Sequence, residues 1–242
     1  MKFVRKIFNI LLLKLLPRGQ YKNYQNYIYN TNTKNYSKIG EHVHLLPPLY
    51  LSPQNIELES FTRLQTGVHI ITASTQKVVI KKYSVISAET MIVNNTHIPT
   101  VGIPQYLSYI GINDVDGRLV IPEDVWVGVR CIILPKAKIG RGCVFGAGTL
   151  VNKTYPPYSV VAGVPGKIIG VRFSLEQILK HEASLYPQKE RFSKEYLEEL
   201  FKEKYSNLKV IGLTEIGSIY EDKLLNCKLA LGMADYSNAS NL

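Results

Sequence analysis

Tryptophan occurs once in the 242 residues, and cysteine and methionine three times each. The cysteines, Cys131, Cys143 and Cys227, cannot all pair, and no CxxC or Cys/His metal spacing joins them. A disulfide scaffold and a structural zinc site are therefore disfavoured, and a reducing compartment is the default. Acid is scarce: 19 Asp+Glu stand against 29 Lys+Arg, a formal charge of +10. That surplus points to an anionic partner, whether nucleic acid, a phosphate cofactor, an acidic glycan or a membrane surface. No apolar run is long enough to span a bilayer. The best, residues 2–16 (KFVRKIFNILLLKLL), is roughly 22 Å as a helix against a ~30 Å hydrocarbon core. Lys2, Arg5, Lys6 and Asn9 fall on one side of that helix. No small-x-small cleavage site follows Pro17, which argues against a secretory signal. Two readings stay open: a helix packed on the body or on a neighbouring subunit, or an interfacial helix on an anionic membrane. With 45% apolar and 20% charged residues, wholesale disorder is excluded.

What the chain does have is a period of six. Leu58, Leu64, Ile70, Ile80, Ile86, Ile92, Ile121, Val127, Ile133, Ile139, Phe145 and Val151 lead successive hexapeptides. Four places after each leader stands a small or β-branched residue, Cys131 and Cys143 among them; Tyr155 is the exception. Six is neither the helical 3.6 nor the alternation of one strand. It suits a solenoid with flat sides of about six residues, one large side chain per side filling the axis and a small one fitting the corner. Register breaks after Ile70, Ile92 and Val151 read as insertions of 4, 23 and 4 residues, from spacings of 10, 29 and 10. The long one is the natural functional loop. An earlier, degraded turn begins near Ile39.

The segment DVWVGVRCIILPKAKIGRGCVFGAGTLVNKTYPPYSVVAGVPGKIIG, residues 124–170, resembles the C-terminal half of the hexapeptide-repeat acyltransferases. Its nearest branch is that of the galactoside/maltose and polysaccharide O-acetyltransferases. The likeness extends over roughly residues 56–172. It implies a left-handed parallel β-helix, a homotrimer, and acetyl-CoA held as co-substrate between neighbouring helices.

Acetyl transfer to a hydroxyl needs a base, and His suits that task near neutral pH. His97 ends the hexapeptide Ile92-Val-Asn-Asn-Thr-His at the root of the long insertion. The string NNTHIP, then a loop, then Asp124-Val-Trp-Val-Gly, follows the family's order, which makes His97 the expected general base. Asn95 is the expected acceptor contact, and Trp126 a flat wall for acceptor or pantetheine. The resemblance places Val129, Ala147, Asn152 and Lys153 along the cofactor, and Lys167 and Arg172 at its phosphates. Gly170 departs from the family, which commonly carries a second basic residue there. Asp114 and Asp116 read as parts of a solvated loop, and His69 as a surface or subunit-interface residue. His42, His44 and His181 receive no chemistry. No close His pair lies in the regular coils to hold a metal, and no motif supports nucleic-acid binding.

Three regions follow: an amphipathic helix and Tyr/Asn-rich arm (1–38), a β-helix (39–172) with a loop at 98–119, and a mostly helical extension (173–242). Ser174-Leu-Glu-Gln177 has the form of a capping box opening a helix. The expectation is a cytoplasmic acetyl-CoA-dependent sugar O-acetyltransferase of surface or capsular polysaccharide biosynthesis, peripheral at the inner membrane face if residues 2–16 rest on lipid. Amino-sugar N-acetylation and a non-catalytic trimeric scaffold are the alternatives.

Overall fold

The computed structural model describes residues 31–72, 76–111 and 114–233. The run at residues 2–16 lies outside them. Three parallel sheets wrap one axis, as the six-residue period requires. The first carries Lys38–Ile39, Ile56–Leu58, Val78–Ile80 and Leu119–Ile121. Lys138–Ile139 and Thr154–Tyr155 extend that side as a separate pair. The second carries His44–Leu45, Arg63–Leu64, Val85–Ile86, Trp126–Val127, Val144–Phe145 and Ser159–Ala162. The third carries His69–Ile71, Met91–Val93, Ile132–Ile133 and Leu150–Val151, with Tyr50 bridged to His69. The fold is a left-handed parallel β-helix of six coils, stacked ~4.8 Å apart.

Each leader points inward. Leu58, Leu64, Ile80, Ile86, Ile92, Ile121, Ile133 and Val151 have no exposed surface and form one continuous core. Burying a branched side chain of this kind stabilises by about 1.5–3 kcal/mol. Cys131 and Cys143 sit buried at corners, and burial pushes the Cys143 thiol up to about 12, so it is an inert packing group. The ring of Tyr155 packs edge-on against Phe145 at 5.4 Å. Tyr155 pairs with Ile139 on the first side, so it is a leader and not a corner residue. The third register break is thus a shortening by two residues between Val151 and Tyr155, followed by a regular step to Val161, and not an insertion of four.

Corners are tight, and several adopt left-handed backbone: Phe61, Tyr83, Glu89, Asp124, Arg130 and Lys136 all have φ between 56° and 67°. At Gly128 the stacking itself excludes a side chain. A Cβ there would lie 2.5 Å from the Phe145 carbonyl oxygen and 2.8 Å from the Ala147 nitrogen.

The open end is closed by the chain itself. Lys167–Val171 returns antiparallel along Ser159–Ala162, and Val210 bridges Val171. Pairing an exposed edge in this way removes a site of edge-to-edge association. The expected capping box is formed: the Ser174 hydroxyl accepts from Gln177 N at 3.3 Å, and Gln177 Oε1 accepts from Ser174 N at 2.7 Å. The helix Leu175–Leu185 follows, then Lys194–Leu200 with a wider π turn to Tyr205, then Glu221–Ala230. Ile178, Leu197, Leu200 and Tyr205 pack with Tyr158 and Val171 as a second core. Among the described residues no helix is long and apolar enough to cross a membrane.

Candidate active site

The strand Met91–Val93 leads into Asn94, which is buried, and on to Asn95–Thr96. There the chain leaves the coil. The loop carries a 3-10 turn at Gln105–Ile110, ended by Gly111 with φ 73°. It returns as Val115–Asp116, antiparallel to Asn95–Thr96, with Thr96 opposite Val115 and Asn95 opposite Asp116. A hairpin in this register sets position 97 against position 114. Both carboxylate oxygens of Asp114 lie 2.9 Å from His97 Nδ1. An ionised carboxylate only accepts, so Nδ1 carries the proton and Nε2 presents its lone pair. The His97 side chain is 45% exposed and that of Asp114 22%, so the imidazole is held yet reachable.

Asp114, which sequence reading left in a solvated loop, is thus brought against His97. The signal was the hairpin register, which appears only once the two ends of the insertion are paired. The pocket under the loop beside the pair is only about 10 Å³, and the ring's exposed face opens outward from it.

The other expected site residues fall into groups. Asn95 lies half-buried on the hairpin, two residues from His97. Trp126 points outward from the second sheet, in register with Val85 and Val144, 56% exposed, its Nε1 donating to Ser87 Oγ at 3.1 Å. With Val144, Val160, Phe173 and Ile211 it lines a largely apolar cleft of about 360 Å³. His97 and Trp126 thus belong to different sheets of the chain. Val129 and Ala147 are exposed on adjacent coils of one corner, where Gly148 N donates to the Val129 carbonyl at 2.8 Å. Asn152 and Lys153 are exposed at the next corner, and Lys167 is exposed at the start of the closing strand.

Arg172 is engaged within the chain. Its Nη1 donates to Asp124 Oδ2 at 2.6 Å and to the Asp124 and Gly142 carbonyls at 3.1 and 3.3 Å. His181 Nε2 lies 2.8 Å from the same Asp124 carboxylate. The guanidinium ties the closing strand and first helix of the extension to a left-handed corner, and it also lines the cleft beside Trp126. His69 is exposed on the third sheet against Tyr50, and Glu89 pairs with Arg130 away from the dyad. Among the described residues no cluster of His, Cys, Asp and Glu could hold a metal ion.

The bacterial transferase hexapeptide model, of six repeats, matches residues 119–153. Those residues carry the hexapeptide repeat. This hexapeptide-repeat chain is 48% identical over 62 residues to a chloramphenicol acetyltransferase of Escherichia coli, 26% of this chain and 30% of that protein. It thus spans about a third of the length of the chloramphenicol enzymes it matches. A longer match, 27% identical over 184 residues, covers 69% of this chain and 87% of WbbJ of Escherichia coli K12, a protein named for O-acetyl transfer in lipopolysaccharide biosynthesis. A hexapeptide-repeat acetyltransferase of Vibrio cholerae, solved with acetyl coenzyme A, superposes with a TM-score of 0.51 at 22% identity, covering 59% of this chain and 75% of that one. That likeness is one of fold.

Proposed function

We propose that the chain is an acetyl-CoA-dependent O-acetyltransferase acting on a sugar hydroxyl in the biosynthesis of a surface polysaccharide, in the cytoplasm. The observation that carries the reading is the His97–Asp114 pair at the root of the loop. The extended match to WbbJ supports the acceptor class. In the reaction His97 Nε2 takes the hydroxyl proton as the acceptor oxygen attacks the thioester carbonyl. The C–S bond then breaks, and the proton passes to the departing thiolate. Asp114 holds the tautomer and steadies the imidazolium as it forms. Trp126, Val129 and the exposed backbone at Ala147 offer a lane for pantetheine. Asn152, Lys153 and Lys167 face the cofactor's polar end, Arg172 being engaged elsewhere.

The chain works as a homotrimer on this reading. The loop root that carries His97 and the apolar Trp126 cleft lie on different sides of one chain, so a neighbouring copy completes the site. Thiol release from acetyl-CoA with a panel of sugars tests the function. Acceptor-dependent release is expected, and a protein that binds acetyl-CoA yet releases no thiol with any acceptor is a scaffold.

Asp114→Asn makes a sharper prediction about positioning. The amide cannot stabilise an imidazolium, and its NH₂ can favour the wrong tautomer. kcat is expected to fall by about 10²-fold or more with the KM for acetyl-CoA unchanged. Unchanged kcat across the pH profile would remove Asp114 from the mechanism.

A further inference from the structure

The loop root borders a second cleft, of about 320 Å³, one coil from the Asn152–Lys153 corner, where Lys138 N donates to the Lys153 carbonyl at 3.0 Å. Asn94, Gly117 and Arg118 line it from the hairpin, and Lys136 and Lys138 from the corner of the following coil. Leu119, Pro135 and Ala137 make much of its wall apolar, and every charged side chain on it is a cation. Arg118 is 62% exposed, and its Nη2 lies 3.6 Å from Glu57 Oε2, a loose contact. Lys136 and Lys138 are exposed and form no ion pair among the described residues. Glu57 is already committed to Lys77 at 2.9 Å. That hydrogen bond, with the charges of Lys77, Arg118 and Lys38, holds its carboxyl below the usual carboxylate range. One carboxylate among these cations leaves a local surplus of positive charge facing open space.

The cleft and the dyad are two ends of one hairpin. Gly117 N donates to the Asn94 carbonyl at 3.2 Å, and the strands run from there to His97 and Asp114. Three residues separate Asp114 from Arg118, a path of at most ~14 Å along the strand. The side chains of His97 and Arg118 shorten the gap that a phosphorylated sugar has to bridge. A guanidinium fork beside two ammonium groups is the donor set that phosphate oxygens take.

We propose that this cleft binds a phosphate group carried by the acceptor, and so selects a phosphorylated sugar over a free one. The proposal rests on the acetyl-transfer reading above. The phosphate can belong to a sugar phosphate or to a sugar diphosphate bearing a nucleoside or a lipid, and the chemistry of recognition is shared.

Two measurements test it on the full chain. In the first, inorganic pyrophosphate is titrated by calorimetry into protein saturated with CoA, so that the cofactor's own phosphate contacts are filled. Wild type is expected to bind, and the Arg118→Ala/Lys136→Ala/Lys138→Ala triple variant at least about tenfold more weakly. No binding by wild type, or equal binding by the variant, overturns the proposal. These side chains are exposed, so the variant is expected to fold.

In the second, thiol release is followed with a neutral sugar, its 1-phosphate, its nucleoside diphosphate ester and the matching uronic acid. The KM for the phosphorylated acceptors is expected to be at least about tenfold below that of the neutral sugar. The triple variant is expected to lose the advantage and to keep its KM for acetyl-CoA. A KM for acetyl-CoA that rises in the variant gives the cleft to the cofactor, and a uronic acid that matches the phosphates gives it to carboxylates. Either overturns the proposal. Release of no thiol with any acceptor sinks the transfer reading, while the pyrophosphate titration still decides the cleft.

Discussion

His97→Ala is expected to lower acetyl transfer by about 10²–10⁴-fold while leaving the fold and acetyl-CoA binding intact. The expectation follows from where the side chain sits. His97 is 45% exposed on a loop that projects from the coils, and among the described residues its side-chain partner is Asp114. Removing it creates no cavity in the axial core, so stability should move by no more than about 0.5 kcal/mol. What is lost is the acceptor for the hydroxyl proton at the moment the oxygen attacks. Asp114 does not take over, because it sits behind the ring on Nδ1 and not at the nitrogen that faces the acceptor. Rate, thermal midpoint and acetyl-CoA affinity measured on one preparation separate these terms. An alanine variant that turns over as fast as wild type removes His97 from the chemistry. A variant that loses activity together with its thermal midpoint shows that the residue is structural.

The β-helix was legible in the sequence because its physics is local and repeated. An inward side must place a large apolar group every six residues, and Leu58 through Val151 do so with few substitutions. What stayed hidden depended on contacts between distant segments. Tyr155 reads as an irregular corner residue until its pairing with Ile139 shows that the coil has been shortened by two. Asp114 reads as loop solvent chemistry until the hairpin sets it opposite His97. Arg172 reads as a phosphate ligand by its position after VAGVPGK. Its partner within the chain, Asp124, is 48 residues away and held at φ 56°, a pairing that no sequence spacing announces. The sequence singles out His97 for a different reason. It stands where the period stops, and a solenoid puts its functional residues at such interruptions.

The extension presents the other large effect. Glu182 on its first helix is only 1% exposed, yet it carries a carboxylate. Its oxygens accept from Arg141 Nη1 at 2.9 Å, from the Tyr158 hydroxyl at 2.6 Å and from Phe192 N at 3.3 Å. Arg141 and Tyr158 belong to the β-helix and Phe192 to the extension, so one buried carboxylate binds the two parts together. The Arg141 guanidinium also lies over the rings of Tyr186 and Phe192, at 4.2 and 4.9 Å. Burial, with Glu182 beside it, holds the Tyr158 hydroxyl protonated far above its ordinary range, which keeps it a donor. Glu182→Ala leaves a largely buried cation with less compensation and a fully buried hydroxyl without its acceptor. The expected loss is about 3–5 kcal/mol. Glu182→Gln keeps one acceptor oxygen and the shape, so its loss should be smaller. Because the second core is small, the loss should appear first in the extension, with limited proteolysis cutting residues 173–233 before the coils. The extension supplies Phe173 and Ile211 to the cleft beside Trp126, so the alanine variant should also weaken whatever that cleft holds. Denaturant unfolding in which Glu182→Ala costs less than about 1 kcal/mol would show that Arg141 and Tyr158 find other partners, and that apolar packing alone anchors the extension.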